Sequence, residues 1–72
     1  MEIHIDYNGN TYHGVATPYE DSILDGEPFK FKLVIDEEDK GMLTRTGSGW
    51  ESDTLEPGLA EVIGKYLHEW YR

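Results

Sequence analysis

Seventy-two residues without a cysteine define one domain, 1–72, whose small core has no disulfide to support it. The missing thiols exclude cysteine catalysis and Cys-ligated zinc or iron–sulfur sites, and a net charge of −9 opposes nucleic-acid backbones and anionic lipid surfaces. Met1 leads straight into Glu2-Ile3-His4-Ile5 with no basic segment and no long apolar run, so neither a signal peptide nor a membrane span is expected, and the expected compartment is the cytoplasm.

In chain order, Ile3, Ile5 and Tyr7 alternate with Glu2, His4 and Asp6, the period of a half-buried strand. Asn8-Gly9 follows, and because both residues accept positive φ cheaply the pair predicts a two-residue type I′ hairpin turn. That turn fixes the register: Tyr7 faces Asn10, Asp6 faces Thr11, Ile5 faces Tyr12, His4 faces His13 and Ile3 faces Gly14. Ile5 and Tyr12 then share the buried face, and the two histidines share the other.

From Pro18 to Pro28 the alternation lapses into an acidic loop carrying Glu20, Asp21, Asp25 and Glu27, with Asp25-Gly26 as a turn pair. Tyr19, Ile23 and Leu24 within it read either as anchors that tuck the loop against the domain or as contacts for a partner. The clearest alternation comes next: Phe29, Phe31, Leu33 and Ile35 form a core-facing row on the predicted central strand, and Lys30, Lys32 and Val34 face the other way. Asp36-Glu37-Glu38-Asp39 reads as a charged turn closed by Lys40-Gly41, followed by a strand from Met42 to Thr46, a tight turn at Gly47-Ser48-Gly49 and a short strand around Trp50.

Leu55, Leu59, Val62, Ile63, Tyr66, Leu67 and Trp70 recur at steps of three and four, one apolar stripe on a helix. Asp53 or Thr54 is the expected N-cap, Asp53 with Glu56 has capping-box spacing, and Pro57 fits the first turn. Glu61 and Lys65 read as an exposed i, i+4 pair, and His68 and Arg72 as favourable charges at the negative end of the helix dipole. Gly64 with Ala60 predicts close approach of helix and sheet, or a small-residue groove for a ligand. Together the elements predict an α+β fold, an antiparallel four- to five-stranded, meander-like sheet with one C-terminal helix packed on one face.

Tyr7-Asn8-Gly9 with Tyr12, Pro18 before the polar loop, Phe29-x-Phe31-x-Leu33, Gly41-x-Leu43, Trp50, and Ile63-Gly64 in the closing helix together resemble a set of short, uncharacterised bacterial proteins. The resemblance covers most of the chain and rests on structural motifs. It implies strands followed by one helix, and it carries no activity, cofactor or catalytic residue.

Most chemical templates fail on spacing. The acidic run from Asp36 has Gly41 at the sixth place of a calcium loop but Lys40 at the fifth and Gly47 at the twelfth, where a glutamate is required. Gly47-Ser48-Gly49 lacks the Lys-Ser/Thr pair of a phosphate loop. No serine has an elbow motif, and the acids cluster in polar turns where water keeps them ionised, so neither an enzyme nor a cofactor is expected. His4 and His13 are the one pair produced by register: a cross-strand pair can share a metal ion, with Glu2 or Asp6 as further ligand, or stand as an exposed polar pair with no metal. The uncovered sheet face, with His4, His13, Val15, Lys30, Lys32 and Val34, is the expected working surface. It suits an acidic protein partner or self-association, against the plainer reading of a solvated face. An interaction module using this face is the leading expectation, a metal-binding protein using His4 and His13 the alternative, and a small enzyme a distant third.

Overall fold

The computed structural model describes residues 1–24 and 26–71, with Leu24 described by its backbone alone. The expected turn at Asp25, the anchoring role of Leu24 and the place of Arg72 at the helix end lie outside the described residues.

Strands β1 (Glu2–Tyr7) and β2 (Asn10–Pro18) form the expected hairpin, with Asn8 and Gly9 at φ 55° and 81°. Every expected pair is present, His4 opposite His13 and Ile5 opposite Tyr12 among them. Side chains of Ile3 and Ile5 are buried and Tyr12 packs against the core, so the parity read from the turn places the core correctly.

After a 3-10 turn at Glu20–Ser22, β3 (Ile23–Leu24) and β4 (Glu27–Pro28) make a two-stranded hairpin of their own. The loop is not held by the hydrophobic residues expected to tuck: Tyr19 and Ile23 are exposed. A buried serine holds it instead. Ser22 donates from its hydroxyl to the Tyr19 carbonyl at 2.7 Å, while the Phe29 and Tyr19 amides bond to the Ser22 and Lys30 carbonyls. Pro28 is buried beside it.

The central strand β5 (Lys30–Ile35) buries Phe31, Leu33 and Ile35. Phe29 falls outside the strand and is half-buried, so three aromatic or aliphatic side chains of the row, not four, face the helix. The acidic run is a correction too. Only Asp36 and Glu37 turn, both at positive φ, and β6 (Glu38–Thr46) starts four residues before the expected Met42. The register shifts between Leu33 and Val34, where Lys40 is the extra residue and Gly41, at φ 73°, returns the chain to pairing. Gly49 closes the next turn into β7 (Gly49–Ser52). Strand order is β1-β2-β5-β6-β7, all antiparallel: a meander with the small hairpin inserted between its second and third strands.

Helix α1 (Pro57–Trp70) packs on β7, β1 and β6. A flat five-stranded sheet is about 19 Å across and a helix with its side chains about 10–12 Å, so contact with both edge strands requires the sheet to curl around it. Gly14 permits the bend: a Cβ there would lie 2.2 Å from the Val34 carbonyl oxygen. Leu59, Ala60, Ile63, Gly64 and Leu67 fill the trough. At Gly64 a Cβ would lie 2.1 Å from the Trp50 indole, so the close-approach reading of that glycine holds.

The helix begins later than the capping pattern suggests. Pro57 confines Glu56 to extended backbone, with ψ 151°, so no helical turn can precede it and the Asp53 capping box does not form. Thr54 instead donates its hydroxyl to the carbonyl of Lys40 at the β6 irregularity, and Ser52 accepts the amides of Thr54 and Leu55. Glu61 is likewise no exposed pair member: its carboxylate accepts the Trp50 amide at 2.8 Å. Nor does His68 merely face the helix dipole. Its Nδ1 lies 2.8 Å from the Glu27 carboxylate, which also receives Arg45, tying helix, small hairpin and β6 together. No helix among the described residues is long and apolar enough to cross a membrane.

Chemical denaturation should rank three helix variants. Leu67→Ala, at a fully buried position, should cost about 2–5 kcal/mol. Glu61→Ala should cost about 1–3 kcal/mol by leaving a part-buried amide without its acceptor. Lys65→Ala, exposed, should stay within about 0.5 kcal/mol. Equal stability of Leu67→Ala and Lys65→Ala would mean that the helix does not close this core.

Candidate functional site

With the helix filling the concave side, the convex side of the sheet is a surface of alternate residues arranged in rows. Pairing places His4 beside His13, Glu2 beside Val15 and Val15 beside Val34, and Thr17 beside Lys32 and Lys32 beside Met42. Lys30, Thr44 and Glu51 make the next row. Rows follow one another at about 7 Å. The expected residues therefore share one face but not one spot. His4, His13, Val15 and Val34 are contiguous, whereas Lys30 and Lys32 lie further along β5.

The two histidine rings stack, with centroids 4.2 Å apart and planes at 30°. They sit at a non-hydrogen-bonded position of the hairpin, where cross-strand side chains approach most closely. Next to them Asp36 closes the row: its amide donates to the His13 carbonyl at 2.7 Å, and its carboxylate accepts the His13 amide at 3.3 Å. The Asp36-Glu37 pair holds two non-glycine residues in the left-handed region, tolerable for aspartate and less so for glutamate. Together His4, His13, Val15, Val34, Asp36 and Tyr66 line an open concavity of about 820 Å³.

As a metal site the histidine pair stands alone. Asp6, one of the two carboxylates expected to lean in, accepts the Thr11 hydroxyl at 2.8 Å. Among the described residues no three histidine, aspartate or glutamate side chains gather into a group that could hold a metal ion.

At the other end of the face the chemistry changes. Lys40 pairs with Glu38 and Arg45 with Glu27, but Lys30 and Lys32 have no carboxylate partner among the described residues. Lys30 lies over the Phe29 ring at 5.8 Å. The Lys40 ammonium, by hydrogen bond and then by charge, holds the Glu38 carboxyl below its usual range, and Glu38 in turn raises Lys40: an ordinary surface ion pair, away from this face. Val15, 43 % exposed, stands between the two ends with Val34 directly opposite.

The sequence pattern missed Asp36, Glu37 and Tyr66. Asp36 and Glu37 looked like part of a longer solvated turn, and Tyr66 like part of the buried stripe, although it is exposed. No signal marked the first two: nothing apolar lies between Ile35 and Met42, so there was no alternation from which a two-residue turn could be counted. Comparison of the chain with protein families, with curated proteins and with solved structures returns no match. The chemistry of this surface therefore has to be read from its geometry.

With two rings and no third ligand among the described residues, excess zinc should leave the ring signals of His4 and His13 where they are in an NMR titration. A joint, saturable shift of both would contradict this assignment of the pair.

Proposed function

We propose that the chain is a small binding module that works through the open face of its sheet and performs no reaction on what it binds. The observation carrying this reading is the pair of exposed Val15 and half-buried Val34, followed along β5 by Lys32 and Lys30, cations without a carboxylate partner among the described residues of a protein of net charge −9. Apolar area flanked by unpaired charge is the composition of a contact surface, because the apolar atoms gain by leaving water while the charges set orientation and choice of partner. A chain so acidic would repel an acidic partner everywhere else. Concentrating two lysines on one strand gives such a partner a single favourable approach.

The partner this face fits is an acidic protein segment. Lys30→Glu combined with Lys32→Glu should change folding stability by no more than about 0.5 kcal/mol, since both side chains leave the core untouched. The same pair of changes should abolish capture of acidic partners by the immobilised protein and should lower the association rate steeply at low salt. Capture that is indifferent to the double substitution would return this face to ordinary solvated sheet. Concentration-dependent light scattering addresses self-association, and a rise in apparent mass that survives the double substitution would place that contact elsewhere.

A further inference from the structure

The two edges of the sheet are finished differently. On β7 the outward-pointing amide of Trp50 is taken by Glu61, and the helix packs along the strand. The helix also packs on β1, but no side chain among the described residues takes an outward-pointing amide there. The Asn8-Gly9 turn makes Tyr7 and Asn10 a hydrogen-bonded pair, and the mutual bonds between Met1 and Ala16 at 2.8 and 3.1 Å confirm the same parity at the far end. The amides and carbonyls of Glu2, His4 and Asp6 therefore point away from β2. None of these six groups has a hydrogen-bond partner among the described residues. Such a row is a template for one more strand.

Side chains beside the edge define what can pair there. Glu2 and Asp6 lie four residues apart on the open face with His4 between them, and all three are exposed. A second copy of β1 laid antiparallel and centred on His4 would set Glu2 against Asp6 twice, an arrangement that like charges oppose. An extended segment with a basic residue at each end would instead place one cation beside each carboxylate. Toward the helix, the exposed ring of Tyr66 lines the same concavity as Glu2, Ile3 and His4, and offers an apolar contact to the segment's intervening residues.

We propose that the free edge of β1 accepts an extended, basic peptide segment as a sixth strand, two Lys or Arg residues four apart in it lying beside Glu2 and Asp6 and its apolar residues against Tyr66. The site rests on the edge geometry and not on Lys30 and Lys32, so it stands or falls separately from the open-face reading.

The test is binding of a labelled peptide with the core Lys-Val-Thr-Val-Lys, read by fluorescence anisotropy and by amide shifts of the full chain. The expected result is saturable binding, with the largest shifts at Glu2, His4 and Asp6. N-methylation of the peptide at the amides that face β1 should weaken binding about tenfold or more while leaving its charge intact. A peptide with glutamate in place of both lysines should not bind. Glu2→Lys with Asp6→Lys, checked for folding by near-ultraviolet circular dichroism, should exchange these two preferences. Lys30→Glu with Lys32→Glu should keep the binding. No saturable binding, equal binding of the N-methylated peptide, or shifts centred on β5 would each overturn the proposal, and the N-methylation result needs no variant to fold.

Discussion

The Trp50 indole lies where the side chain of any residue but glycine at position 64 would be, and one turn earlier Glu61 takes the Trp50 amide. These two contacts join the last strand to the helix at both its apolar and its polar surface. Much follows from them. A helix drawn that close to β7 reaches β1 only if the sheet curls, and the curl concentrates Phe31, Leu33, Leu43, Ile63 and Leu67 into one fully buried core. For a chain of 72 residues without cysteine, that concentration matters because no disulfide supplements the core.

The same contacts decide which surfaces stay uncovered. Closing β7 with a helix leaves the five-stranded sheet, among the described residues, one free edge and one free face, both on the side where His4, His13 and Val15 lie. Charge divides that side further. Lysines 30 and 32 mark one end of β5, whereas Glu2, Asp36 and Glu37 mark the other, so the surface is bipolar, not simply a basic strip on an acidic protein. A partner carrying both signs of charge could use both ends, and the variants that test each end are different.

What the sequence disclosed was whatever is set by local chemistry. Asn8-Gly9 dictates a turn of two residues, and with side chains alternating at every step the pairing of His4 with His13 follows from counting. The helix stripe and the Phe31, Leu33, Ile35 row were legible for the same reason. The errors arose where a distant group competed with a local signal. Thr54 had an N-cap's identity but bonds to Lys40, fourteen residues away, and Pro57 forbids the turn that the Asp53 capping box required. Glu61 had the spacing of a surface ion pair and serves the amide of Trp50. The stretch from Pro18 to Pro28 contained hydrophobic residues suited to anchoring, yet Tyr19 and Ile23 stay exposed and buried Ser22 ties the chain there by hydrogen bonds. Tyr66 obeyed the helix period and still lies exposed, since the stripe is wider than the trough it enters.

Native-state amide hydrogen exchange tests the difference between the two sheet edges most directly. If Glu61 and the helix close β7 while β1 stays open, the Trp50 amide should exchange only through opening of the helix–sheet contact and be strongly protected. The amides of Glu2, His4 and Asp6, with no partner among the described residues, should exchange near the rate of an unstructured chain. Comparable protection at Trp50 and at these three positions, or a Trp50 amide that exchanges as freely as theirs, would contradict the account.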